Sequence, residues 1–504
     1  MGSPPSDNQL RLVYTQEYQQ HESPAFYVFQ RQESGGYVIA SADERAYPIL
    51  GYNESGTFCE DSLPCCLKFI LEEYTRQIAY AREHNQPRPE EEDDFGVVRP
   101  NIRPLLTSVW NQLEPFNNLC PIDNRTGERS VTGCMATAMA QIMYYHKWPK
   151  HGIGSHSYHY NWDTILTANF GETIYRWDLM KDAYDDEHGF DDPENAVATL
   201  MYHCGVAMNM KYSSEGSGTS DYMISSLCEY FDYSDLMTDV SPSDETAIYN
   251  ELLCGRPVFV TGRGKSFSHA YICDGYRTDG FFHFNLGWGG NQDGYYLFDA
   301  VSDNTLSPHV VIIRITPSNR EKTTEANGCI YKVLDDNAYL TEGGKIKGHL
   351  DIPSKIIFEG KVCSVKEIFW YAFGNNTELT SITIPNSVNR IGYGAFYGCD
   401  GLTSVISYIE NPFAIDKNVF EGRYDDVPLY VPVGTLEKYK STNGWKMFKN
   451  IVEFDTNGIE SVYSDENNHE MKNDNRWYSV DGVKLGGEPT KKGLYIHNGK
   501  KVVK

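Results

Sequence analysis

Apolar positions along this chain follow two rhythms, and the changes between them mark its elements. In "CLKFILEEYTRQIAYAREH", Leu67, Ile70, Leu71, Tyr74 and Ile78 recur at the three- and four-residue spacing of one helix face. A second helical pattern follows "VTG": in "CMATAMAQIMYYH", Met135, Ala138, Met139 and Ile142 form an apolar stripe, as a helix docked on a core requires. Strand rhythm appears in "AFYVFQ" and "GYVIAS", and again in "HAYICDGYRTDGFFHFNLGWGG". The last stretch predicts an apolar strand from His269, a turn at Thr278-Asp279-Gly280, and a return strand reaching Asn285 and Trp288. Counting evenly about Asp279-Gly280 puts Asn285 opposite Asp274.

Further on the texture changes. Ala372-Phe373 recurs as Ala395-Phe396, and Leu379-Thr380-Ser381 as Leu402-Thr403-Ser404, each 23 residues later. That period lies in the leucine-rich-repeat range, where each unit buries its apolar side only by stacking on its neighbours. "VPLYVPVGTLEKYKSTNGWKMFKNI" reads as the terminal cap of such a stack. Two polar stretches break the chain. "NQPRPEEEDDFGVVRP" is rich in proline and acid, cannot pack, and predicts an exposed linker open to proteolysis. "SDENNHEMKNDN" precedes a last strand-rich piece, "RWYSVDGVKLGGEPTKKGLYIHNGKKVVK". The expected division is therefore 7–97, 98–318, 325–455 and 475–504.

Composition narrows the classes. With 504 residues and 40% hydrophobic content the chain is too long for one core and apolar enough for two or three domains. A formal charge of −25 without a basic stripe argues against nucleic acid or an anionic membrane as partner. No run approaches the roughly 18 apolar residues of a membrane span. The start, "MGSPPSDNQL", carries no secretion signal and looks like a trimmed terminus. The 12 cysteines include no CxxC pair, so neither a zinc ribbon nor a disulfide framework is indicated, and most should be small buried hydrophobes.

Cys134 has a second reading. Unpaired N–H groups at a helix start favour an anion, so a thiol in the first turn is placed to act as thiolate. Gly133 in front of it leaves room for a substrate carbonyl. A nucleophilic thiol needs a base. His146 lies 12 residues along the same helix, roughly 18 Å away at 1.5 Å per residue, and is excluded. His269 is the candidate, with Asn285 of the right type to orient an imidazole and Trp288 to keep water from that contact. The bland alternative is a buried cysteine that happens to start a helix.

"TGCMATAMAQIMYYHKWP" together with "SHAYICDGY" and "FFHFNLGWGG" resembles the streptopain family of secreted bacterial cysteine peptidases. "VWNQLEPFNNLCP" is similar to that family's W-x-Q-x-x-P-[FY]-N-x-x-C-P segment. The resemblance covers roughly residues 7 to 317. It implies an α+β fold: a papain-like peptidase of two subdomains whose nucleophile-bearing helix packs on an antiparallel sheet, preceded by an α+β propeptide. It implies Cys134 as nucleophile, His269 as base and then acid, and Gln112 as a side-chain donor to an oxyanion hole shared with the Cys134 N–H. Asn285 and Trp288 complete the set. Relatives often carry Trp directly after that Asn, where this chain has Leu286. The stretches "YVFQRQESGGYVIASADERAYPILGY" and "SLPCCLKFILEEYTRQI" are similar to the family's inhibitory propeptide, with Cys65-Cys66 standing where relatives have polar residues. The repeats resemble the BspA-type leucine-rich repeats of Bacteroidota surface proteins, and "GLYIHNGKKVVK" is similar to endings of their secreted proteins.

The expected protein is thus a secreted or cell-surface thiol protease made as a self-processing zymogen. It would act on protein or peptide substrates, with its own propeptide as intramolecular inhibitor and the repeats either contacting a host protein or serving as a spacer. No cofactor or metal is called for. His151, His156 and His159 match no strong zinc spacing, and "GSGTSDY" at 216–222 could border the cleft. Two alternatives stay open: an acyl transferase of transglutaminase type using the same dyad, and an adhesin whose peptidase domain is vestigial.

Overall fold

The computed structural model describes residues 10–18, 23–31, 35–87, 99–184, 191–220, 223–263, 268–301 and 309–454, and, near the end, 477–479, 485, 487–489, 494–497 and 500–503. Most of the acidic linker (88–98), the polar stretch 464–475, part of the acid run (185–190) and residues 221–222 of "GSGTSDY" lie outside the described residues. The described chain forms two units, 1–318 and 319–504.

In the first unit a strand meander, β1 (Leu10–Gln16), β2 (Phe26–Arg31), β3 (Tyr37–Ser41) and β4 (Ile49–Asn53), leads into helix α1 (Cys65–Glu83). Then come α2 (Cys134–His146), a two-stranded ribbon of β5 (His156–His159) and β6 (Ile165–Ala168), α3 (Asp192–Ala207), α4 (Met223–Tyr230), β7 (Thr238–Val240) and α5 (Glu245–Leu253). Strands β8 (Val258–Arg263), β9 (Ser268–Tyr276), β10 (Phe282–Asn285), β11 (Gly294–Tyr296) and β12 (His309–Ile313) finish it. One ten-stranded sheet runs β1-β2-β3-β4-β11-β10-β9-β8-β12-β7. The N-terminal meander therefore does not merely cover the rest of the unit. It extends the same sheet, with β4 antiparallel to β11 through Tyr52↔Tyr295 and Gly51↔Tyr296. Gly51 permits that join, since a Cβ there would fall 2.5 Å from the Tyr296 ring.

Helix α1 packs on β9 and is clamped at both levels of the sheet. Gln77 donates to Asp299 Oδ1 at 2.8 Å and accepts from the Ala300 N–H at 2.6 Å, while Tyr74 donates to the Leu50 carbonyl at 3.0 Å. Arg82 donates to Asp43 and to the Ser23 carbonyl, fixing the helix end to its own meander. The helix face read from the sequence is the buried one, and side chains from Ala25 to Ile315 share a single core. Helix α2 departs from a one-stripe reading. Every residue from Cys134 to Tyr144 is buried, because the helix packs between β9 and α3. Ala and Met, short or pliable, suit such a crowded position.

The hairpin β9–β10 corrects the even count. Its turn is wider than assumed, closed by Gly280 N–H to the Arg277 carbonyl and by Arg277 N–H to the Phe281 carbonyl. A bulge after His283 then shifts the register again, so Asn285 pairs with Ile272 rather than with Asp274. Asp274 instead accepts from His283 Nδ1 at 2.6 Å and from the Leu106 N–H at 3.0 Å.

The second unit has its own core, from Cys329 to Phe448. Its ladder is parallel throughout: 348–351, 379–384, 404–407, 429–432 and 451–454 pair in that order. The pairing Ser381↔Ser404 repeats the 23-residue period in space. Phe373, Phe396 and Phe420 stack face to face at 5.1 Å and 4.8 Å. A second, mixed sheet built from strands between 322 and 368, with 390–391 added, is interleaved in the chain with the first strands of the ladder.

Candidate active site

Cys134 is the first residue of α2, and Gly133 is its N-cap with φ 89°. That angle suits glycine, and a Cβ there would meet the Ser217 carbonyl at 3.0 Å and Met210 at 3.1 Å. The glycine thus answers the approach of the 210–217 segment as well as any opening for substrate. The carbonyl of Gly133 accepts from Thr137 N–H at 3.0 Å and from its hydroxyl at 3.1 Å, so the helix begins firmly at the thiol.

Gln112 reaches the same corner. Its carbonyl accepts from Thr132 N–H at 3.1 Å, two residues before Cys134, and the residue is only 4% exposed. Gly289 N–H donates to the Trp110 carbonyl at 3.0 Å, tying the Gly-rich loop after Trp288 to the same segment.

His269, near the start of β9, is half-buried, with the Phe69 ring of α1 centred 5.6 Å from its imidazole. Burial alone would lower its pKa. Hydrogen bonds with Cys134 and with Cys65 overcome burial and raise it to about 9. The imidazole therefore serves two thiols, one from α2 and one from the N-terminal segment. Cys65, hydrogen-bonded by Cys66 and then by His269, is shifted down; Cys66, hydrogen-bonded to Cys65 and fully buried, is shifted up. The thiol of Cys66 donates to the Ala270 carbonyl at 3.4 Å and the Leu286 carbonyl at 3.8 Å. Trp288 is half-buried, and its buried Nε1–H lies within electrostatic reach of both sulfurs without closing a regular hydrogen bond.

Asn285 stands apart from that imidazole. Its Oδ1 accepts from Gln141 Nε2 at 3.0 Å and from Gly287 N–H at 3.1 Å, and its Nδ2 donates to the Ser108 carbonyl at 3.0 Å. Ser108 Oγ donates to Gln141 Oε1 at 2.9 Å and completes the chain. Leu286 is buried at 1% exposure, its N–H donating to Asp293 at 2.8 Å.

So the structure brings Cys134, His269 and Trp288 to one place, sets Gln112 beside the turn that leads into Cys134, and holds Asn285 in a neighbouring polar chain. Sequence reasoning missed Gln141 and Ser108. Gln141 did carry a signal, being a polar residue seven positions after Cys134 and so on the same helix face. It also missed that Cys65 and Cys66 reach the site. The His151, His156 and His159 stretch lies on and before the β5–β6 ribbon, where His156 Nε2 is 2.8 Å from Asn209 Oδ1. Its three histidines do not gather as metal ligands among the described residues.

A thiol at a helix start, an imidazole shared with it, and an N-terminal segment woven into the same sheet define a latent cysteine peptidase. Residues 110–296 match the Peptidase C10 family, residues 4–78 the Spi protease inhibitor family, and residues 354–426 the BspA type leucine rich repeat region in six copies. Streptopain of Streptococcus pyogenes is 31% identical over 298 residues, 54% of this chain and 74% of streptopain. The thiol protease/hemagglutinin PrtT of Porphyromonas gingivalis is 31% identical over 347 residues, 62% of this chain and 39% of PrtT, so the chain spans well under half of that relative. The solved structure of Prevotella intermedia prointerpain A superposes with a TM-score of 0.52 at 32% identity, over 61% of this chain and 98% of that one. The chain belongs to the Peptidase C10 family of cysteine peptidases.

Proposed function

We propose that this chain is the zymogen of a secreted or cell-surface cysteine endopeptidase that matures by its own activity. The observation that carries the reading is the shared imidazole: His269 bonds both to Cys134 and to Cys65 of the inhibitory segment. In this reading Cys134 attacks the scissile carbonyl as thiolate and forms an acyl-enzyme. His269 holds the proton and passes it to the leaving amine. Gln112 and the Cys134 N–H receive the oxyanion, whose charge exists only around the transition state. When α1 withdraws, Cys65 leaves His269, Asn285 orients the imidazole from its fixed place on Gln141 and Ser108, and Trp288 keeps water away. The substrates are proteins or peptides, and the leucine-rich repeats are a contact surface for a host protein.

Incubating the purified chain at neutral pH in mild reductant tests this. Wild type should convert to a smaller species whose new N-terminus lies between Glu90 and Arg99, and then hydrolyse casein. Cys134→Ala should stay full length until wild-type enzyme is added. Casein hydrolysis by Cys134→Ala at the wild-type rate would overturn the assignment. Amide exchange onto an added amine without hydrolysis would favour an acyl transferase instead.

A further inference from the structure

An inhibitory helix can fill a cleft with any side chains of suitable shape. This one brings two adjacent thiols, and both point into the same small space as the catalytic imidazole. The sulfurs of Cys65 and Cys66 and a ring nitrogen of His269 lie within 4.8 Å of one another, and no other group of three potential ligands gathers so closely among the described residues. We propose that Cys65, Cys66 and His269 form a binding site for a thiophilic divalent cation, Zn2+, that ties the inhibitory helix to the peptidase.

The donor chemistry selects the ion. Two thiolates and an imidazole suit Zn2+ and disfavour Mg2+ or Ca2+, which take oxygen ligands. Around a tetrahedral zinc, with Zn–S of about 2.3 Å and Zn–N of about 2.0 Å, the donors stand about 3.5–3.8 Å apart. Closing from 4.8 Å asks for a movement of about 1 Å, within reach of side-chain rotation. The two thiols give up protons on binding, and Cys66 gives up its bonds to the Ala270 and Leu286 carbonyls. Cys134, which bonds the same imidazole, or a water completes four-coordination. The Nε1–H of Trp288, buried beside both sulfurs without a regular partner, gains an anionic sulfur to donate to.

The ion would bridge α1, at Cys65 and Cys66, to β9, at His269. With a ring nitrogen held by zinc, the imidazole cannot take or give the proton of catalysis. The zymogen would then be locked by metal until a stronger chelator removes it. This consequence rests on the function proposed above; the binding itself does not.

The test uses full-length Cys134→Ala, reduced and stripped of metal, because that chain neither processes itself nor offers the Cys134–His269 pair as a competing site. Calorimetric titration with Zn2+ should give one ion per chain, and Co2+ should give a thiolate-to-metal charge-transfer band. Adding Cys65→Ser, at a half-buried position that leaves the core intact, should weaken Zn2+ binding about 100-fold or more, beyond the usual loss from removing a ligand's supporting partner. Cys66→Ser, read with circular dichroism as a folding control, should act in the same direction. No binding by the stripped chain, or equal binding with and without Cys65→Ser, would overturn the proposal. So would binding found only in chains that retain Cys134, since the ion would then belong to the dyad alone.

Discussion

Gln112 is a long polar side chain on a residue only 4% exposed, and no hydrogen bond engages its amide among the described residues. Its amide is not among the buried atoms that lack a partner, so it keeps an open side toward the corner before Cys134, as the oxyanion role proposed above requires. Gln112→Ala should accordingly lower kcat by about two to three decades and leave KM nearly unchanged, since the lost donor acts on charge present in the transition state. Steady-state kinetics of the matured variant check this. A rise in KM alone would make Gln112 a substrate contact. The chain from Ser108 through Gln141 to Asn285 has the opposite character. Each of its polar atoms already has a protein partner, which fixes Asn285 in place whether or not the imidazole has turned toward it.

Elements with a strong local rhythm were legible: α1, α2 and the two strands β2 and β3 fall where the spacing of apolar residues puts them, whereas β1 and β4 were not read. What failed is long-range. Nothing near Gly51 announces that β4 will pair with β11, because a strand's partner leaves no mark on its own alternation. The wide turn and the bulge after His283 are likewise invisible to counting, and together they moved Asn285 by two places along β9. For the same reason the thiols of α1 could be seen as unusual but not as part of the site, since Cys66 and His269 are 203 residues apart. The helix that carries them buries its apolar face in the core and adds polar clamps to it, and these are testable. Gln77 is 1% exposed and bonds both Asp299 and the Ala300 N–H. Gln77→Ala removes both bonds and strands a buried N–H, a loss of about 1–3 kcal/mol, or roughly 5- to 150-fold in the docking equilibrium. The lag before maturation should shorten, while the matured enzyme, which under the proposed cut between Glu90 and Arg99 lacks residue 77, should match wild type in specific activity. An unchanged lag would mean that release of α1 is not what limits maturation.

At the scale of the whole molecule, two separate cores imply two separate stabilities. The main core of the first unit runs from Ala25 to Ile315 and that of the second from Cys329 to Phe448, with a small satellite of Ile406, Tyr430 and Phe454 in the second, and no side chain is shared between the units' clusters. In the second unit a repeat cannot close its own apolar side, and Phe396 shows how neighbours do it. It is fully buried and stacked between Phe373 and Phe420, with ring planes within 6° and 2° of parallel. Removing the ring leaves a cavity bounded by two other rings, which cannot collapse without breaking the 23-residue register of the ladder. Phe396→Ala should therefore cost about 3–5 kcal/mol, whereas Phe396→Leu, which restores most of the volume, should cost much less. Measured on Cys134→Ala by thermal unfolding, with intrinsic fluorescence and proteolysis to assign the transitions, the loss should fall on the repeat unit alone. Peptidase activity of the matured wild-type chain carrying Phe396→Ala should be unchanged below that transition. A parallel drop in the unfolding temperature of residues 1–318 would show that the repeats stabilise the peptidase, and that the two cores share energy despite sharing no side chain.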